Sequence, residues 1–314
     1  MRKDERKKIV FIGAGNIVSG YQNNLTNCHL SAMFHSEYFN VVGVIEDDIE
    51  KAKRFVKLTG AKIMEFKDLN PSDVDIVAIC VPTNSHFKII KRVCATGIRN
   101  IFCEKPFCSN LSEASMAFNS MMDKDINLYI GYQRSFMSDI KILKKRYEDG
   151  ELGNFISGVF YYSKGLLNNG SHAIDLILKL FGKIEIEYIG EKVIDYSNDD
   201  SSVELILSSQ GRHIKMIPLE ESSASVFEFD IFFQRERIRF LDNFFYFERS
   251  LVTDDERYPG FKKYISEGIN DTYMENGINQ MWNEIYHNIQ NQKSFSKERA
   301  LMPHKIYSKA CVEK

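Results

Sequence analysis

The sequence predicts an α/β protein of two domains: an amino-terminal doubly wound parallel sheet, then an α+β domain with an open, mainly antiparallel sheet. Three observations carry that prediction. Up to about residue 130, continuous apolar runs alternate with helical spacing, as expected of parallel strands covered on both faces. Beyond residue 131 the texture shifts to period-two alternation, the mark of a sheet with one packed and one wet face. The 314 residues also exceed the ~250 at which a single core stops growing. The expected division is 1–130 and 131–314, with the last helix able to pack back on the first domain.

The elements follow in order. Lys8-Ile9-Val10-Phe11-Ile12 is the first strand, Val41 to Ile45 the second, Asp75 to Val81 the third, Asn100 to Cys103 the fourth and Asn127 to Ile130 the fifth. Helical spacing fills the gaps, as from Asp48 to Leu58 and from His86 to Ala95. In the second domain Gln133 to Tyr147 reads as a helix and Phe155 to Ser163 as a strand. Ser171 to Phe181 reads as a helix that Gly182 closes. Ile184, Ile186 and Tyr188 alternate with charged residues, as do Phe227, Phe229, Ile231 and Phe233. A late amphipathic helix carries Ile278, Met281, Trp282, Ile285 and Ile289 on one side. The aromatic run Phe240 to Phe247 reads as sheet face or subunit interface.

Composition excludes several classes. A net charge of −2 gives no electrostatic footprint for nucleic acid or an acidic membrane. No apolar run approaches ~18 residues, and the charged start, Met1 to Lys8, enters a strand with no apolar leader, so a cytoplasmic chain is expected. The six cysteines form no CxxC pair and read as small core residues of a reducing compartment, with Cys108 alone placed to reach a pocket. The seven histidines lack ligand spacing, so no metal site is expected.

Chemistry concentrates at the strand ends. Gly13-Ala14-Gly15 follows the first strand and supplies the tight turn and close backbone approach that a pyrophosphate needs, with Asn16 and Ile17 opening the helix beyond. The third glycine position of that fingerprint is Val18, with Gly20 two residues on. The second strand ends in Glu46, whose carboxylate can accept both ribose hydroxyls of adenosine. Asp47 and Asp48 follow, with no arginine to welcome a 2′-phosphate, so NAD is expected over NADP. The same acidic stretch also reads as a turn that caps the next helix through Asp48. Pro82, Asn84 and His86 open the helix after the third strand near the cofactor's ribose and nicotinamide, although His86 reads equally as a helix-start residue. Glu104-Lys105-Pro106 ends the fourth strand and sets a lysine where a nicotinamide ring would lie.

Taken in order, GAGN, VPTNSH, EKPF and GSHAIDL resemble the glucose–fructose oxidoreductase/inositol dehydrogenase/MocA (Gfo/Idh/MocA) family over essentially the whole chain. The resemblance implies an amino-terminal Rossmann domain that binds NAD(P), and a second domain whose open sheet often serves oligomerisation, here a homodimer or homotetramer. It implies that Lys105 hydrogen-bonds the reacting oxygen and shares in proton transfer, with Glu104 orienting it or holding structure, and that His172 is a second acid–base group. Asp175, one helical turn on, would orient the imidazole or cap the helix end. Many members carry Asp four residues before this histidine. This chain has Asn168, which hydrogen-bonds but takes no proton, leaving Lys105 and His172 as the proton handlers. Arg134, in the segment joining the domains, would grip a substrate phosphate or carboxylate, or tie the domains together. Lys164 and Asn169 are further substrate candidates. The function expected is hydride transfer between NAD and a secondary alcohol or ketone of a sugar or sugar nucleotide. A non-catalytic NAD-binding regulator and a reductase of a non-sugar substrate are the competing readings.

Overall fold

The computed structural model describes residues 6–20, 25 and 27–312. It divides into two compact units, Met1–Gln133 with Glu275–His304, and Arg134–Met274 with Lys305–Lys314. Residues 275–304 thus group with the first unit.

The first unit begins with β1 (Lys7–Ile12), α1 (Asn16–Ser19), α2 (His29–Phe34), β2 (Phe39–Ile45), α3 (Ile49–Thr59) and a two-residue β3 (Lys62–Ile63). It continues with β4 (Ile76–Ile79), α4 (Thr83–Cys94), β5 (Asn100–Cys103), α5 (Leu111–Met122) and β6 (Asn127–Ile130). The six strands run in the order β3-β2-β1-β4-β5-β6, and every pairing is parallel. Strand order reverses between β1 and β4, which is where open α/β sheets bind ligands at their carboxyl edge. The apolar runs are continuous because both faces are covered: Ile9, Val10, Phe11, Ile76, Val77 and Ala78 are wholly buried. Asp48 caps α3, accepting the amides of Glu50 and Lys51 at 3.0 and 3.2 Å, and these bonds hold its carboxyl below the usual range.

The second unit starts with α6 (Ser138–Glu148), β7 (Phe155–Tyr162), α7 (Ser171–Phe181), β8 (Glu185–Ser197), β9 (Asp200–Ser209) and β10 (Arg212–Pro218). Then come β11 (Phe227–Phe233), β12 (Glu236–Leu241), β13 (Tyr246–Asp254) and β14 (Lys262–Asp271). The strands form one eight-stranded sheet, β14-β13-β12-β11-β7-β10-β9-β8. Only the β7–β10 pair is parallel; the others are antiparallel. Phe155, Phe160, Phe227, Phe229 and Phe233 fill its packed face, with Phe160 and Phe229 stacked at 3.6 Å between ring centroids. The chain closes with α8 (Gly277–Gln290) and α9 (Lys297–Tyr307). Among the described residues no helix is long and apolar enough to cross a membrane.

Two local readings change. The helix expected from Gln133 to Tyr147 is broken: Gln133–Phe136 is a 3-10 turn and Met137 is extended, at φ −61° and ψ 144°. Tertiary bonds explain the break. The Ser135 hydroxyl donates to Asp175 and its carbonyl accepts from Lys179 Nζ, which draws that carbonyl out of helical pairing. Strand β8 is also less packed than its alternation suggests, since Tyr188, Ile194 and Tyr196 stay exposed.

Candidate active site

At the carboxyl edge of the first sheet the glycine turn fits against β4. Gly13 has φ +96°, and a Cβ there would lie 2.6 Å from the carbonyl oxygen of Cys80, so only glycine fits. Gly15 differs: a Cβ would meet nothing within 4 Å, so the loop is open on that side. Asn16 and Ile17 begin α1 just beyond. Glu46 Oε2 accepts the Ala14 amide at 2.7 Å, and Oε1 accepts that of Asp48 at 3.0 Å. Each oxygen keeps a lone pair for a ribose hydroxyl. The residues therefore fit a dinucleotide, with Gly13 to Ile17 for the phosphates and Glu46 for the adenosine ribose.

The next loops stand beside this turn. Pro82 caps α4 and Asn84 is exposed in its first turn. His86 is buried, with Nε2 2.9 Å from the carbonyl oxygen of Val81 and Nδ1 3.1 and 3.2 Å from those of Pro106 and Phe107. The neutral ring carries one N–H, which donates to one of these carbonyls, so His86 is a helix-start residue with a structural hold. Burial pushes its basicity down. Lys105 is half-buried, and the Lys105–Pro106 bond is cis. Glu104 Oε2 accepts the Lys105 amide at 3.2 Å. Its other oxygen lies 2.9 Å from His29 Nε2, a partner that no local sequence signal announces. Cys108, expected to reach a pocket, is instead wholly buried, and desolvation pushes its thiol far up. Its carbonyl meets His304 Nε2 at 2.9 Å.

The second unit gathers another group of side chains. His172 is buried near the start of α7 and sits edge-on to Phe227, 6.1 Å between ring centroids. The Arg134 guanidinium lies 4.2 Å over the same ring and 6.0 Å from that of Phe244. No carboxylate among the described residues pairs with Arg134, its Nε is buried without a hydrogen-bond partner, and desolvation lowers its pKa to about 10. Asp175, expected to orient His172 or cap the helix, is wholly buried and accepts the Ser135 hydroxyl.

Lys164 is left-handed at φ 69° and pairs with Glu221 at 3.3 Å. It opens a wide helical turn, Gly165–Gly170, that leads into α7. The Asn168 and Asn169 amides donate to the carbonyls of Lys164 and Ser163 at 3.0 and 2.8 Å. Asp200, missed from sequence, holds the turn by accepting the amides of Leu167 and Asn168, each at 2.8 Å.

A parallel sheet with a glycine turn at its switch point and an acid at the end of β2 defines a dinucleotide-binding Rossmann unit. Residues 7–132 match the model of the Gfo/Idh/MocA oxidoreductase family, with an NAD-binding Rossmann fold. Similar proteins include a myo-inositol 2-dehydrogenase of Thermotoga maritima, 27% identical over 46% of this chain and 42% of that one. A glucose-6-phosphate 3-dehydrogenase of Bacillus subtilis is 26% identical over 60% and 56% of the two chains. The matches thus span about half the length of these relatives. In fold, an oxidoreductase of Agrobacterium radiobacter, solved with NAD+, L-tartaric acid and magnesium, is similar over 98% of this chain and 96% of that one. Its TM-score is 0.75 at 15% identity.

Proposed function

We propose that this protein is an NAD-dependent oxidoreductase that exchanges hydride between nicotinamide and a secondary alcohol or ketone carbon of a sugar or nucleotide-linked sugar. The observation that carries this reading is the convergence, on one sheet edge, of an open glycine turn, a ribose-directed acid and the Glu104-Lys105 pair. The dehydrogenase names of the relatives support the same class.

When bound, the dinucleotide supplies the hydride donor or acceptor. Gly13, Gly15, Asn16 and Ile17 cradle its phosphates, and Glu46 takes the adenosine ribose. Pro82, Asn84, Glu104 and Lys105 line the nicotinamide end, with His86 holding their loops in register. Lys105 takes the substrate's hydroxyl proton in oxidation and returns it in reduction, assisted by His172. Arg134 binds an anionic or hydroxyl group of the substrate, and the turn carrying Lys164, Asn168 and Asn169 fixes the approach to His172. Asp175 acts from behind by tying α7 to Ser135.

Glu46 makes NAD the expected cofactor, because its carboxylate repels a 2′-phosphate. The test is nicotinamide absorbance against a panel of free and nucleotide-linked sugars, with NAD and NADP supplied separately. NAD should be preferred by roughly tenfold or more, and Glu46→Ser should narrow that ratio. An NADP preference in the wild-type chain contradicts the assignment of Glu46.

A further inference from the structure

A line of buried polar side chains runs from α8 to Glu104. The Trp282 indole N–H donates to His29 Nδ1 at 2.9 Å. His29 Nε2 lies 2.9 Å from Glu104 Oε1, and Glu104 Oε2 accepts the Lys105 amide at 3.2 Å. An indole nitrogen only donates. Nδ1 of His29 therefore carries the lone pair, and the single proton of the neutral ring sits on Nε2, aimed at the carboxylate.

The surroundings leave little freedom. His29 and Trp282 are both wholly buried. Phe102 meets the His29 ring edge-on at 5.2 Å and the Trp282 ring at 4.7 Å. Phe39 closes the other side of Trp282 at 5.3 Å. At Gly131 a Cβ would come within 2.8 Å of Glu104 Oε1, so the carboxylate also rests against the end of β6.

We propose that His29, fixed in its Nε2–H form by Trp282, is a positioning residue that orients Glu104 and, through it, the main chain of Lys105. The inference rests on the reading of Lys105 as the acid–base group. Its function is geometric: a reacting lysine misplaced by about 1 Å can cost a factor near 10², and here the stem of that lysine starts from a pinned amide.

The test uses the full chain as wild type, His29→Leu and His29→Gln, with NADH as the binding probe. Nitrogen-15 spectra of the histidine rings read the tautomer. Trace acetic anhydride labelling, followed by mass spectrometry, reads Lys105 reactivity relative to the other lysines. The wild-type ring should show the Nε2–H pattern. His29→Leu should change Lys105 labelling by about threefold or more, with NADH affinity held within about twofold. His29→Gln, whose amide N–H can meet the same carboxylate, should return labelling towards wild type.

An Nδ1–H ring in the wild type overturns the proposal even if the leucine variant does not fold. Labelling of His29→Leu that equals wild type also overturns it. Failure of the underlying reading looks different: Lys105→Met would retain turnover while Lys105 labelling still responded to His29.

Discussion

Glu104 and His304 show how single polar groups anchor the loop that carries Lys105. Glu104 is held by His29 on one oxygen and meets the Lys105 amide with the other. His304 does comparable work three residues further on, with Nε2 against the main chain of Cys108. Burial pushes the pKa of His304 down to about 4 from 6.5, and burial lowers that of His86 too. For a base whose folded pKa is depressed, the unfolded chain takes up the proton first. Stability is therefore fully present above about pH 6.5 and is lost as pH falls from there towards 4. Between pH 7 and pH 5 the His304 contribution to that loss should be about 2 kcal/mol. Urea unfolding at the two pH values checks this, and His304→Gln should flatten the difference. A variant with the wild-type pH dependence would contradict it.

At the scale of elements, what was legible in the sequence depended on whether its cause was local. β1, β2, β4, β5 and β6 could be read because burial on both faces writes an unbroken apolar run. Gly13 and Gly15 were readable because a strand precedes them directly. Helix α7 and its Gly182 end were readable for the same kind of reason, as Gly182 N–H meets the Leu178 carbonyl. The split near Met137 was not legible, since it depends on Asp175 and Lys179, about forty residues away. The His29–Trp282 bond joins residues 253 positions apart, and neither residue carries a local motif. Asp200 was hidden likewise: it is the first residue of β9, yet it holds the turn before α7. Asp200→Ala should cost about 1–3 kcal/mol by stranding the Leu167 and Asn168 amides. Thermal melting reads that loss, and turnover should fall with it because the approach to His172 loosens. An unchanged melting temperature would show that water replaces the carboxylate.

For the whole molecule, the proposed function draws on residues of both compact units. The first unit holds the dinucleotide turn, Glu46 and Lys105, and the second holds His172, Arg134 and the Lys164–Asn169 turn. Tyr188, Ile194, Tyr196, Tyr264, Ile265 and Ile269 lie exposed on the two edge strands of the eight-stranded sheet. The central claim is that Lys105 carries the proton of a hydride transfer. Its most direct test is turnover of wild type and Lys105→Met, with NADH affinity measured on both. Loss of turnover by about a hundredfold or more, with NADH affinity retained, is the predicted result. Equal turnover in the two proteins would contradict it.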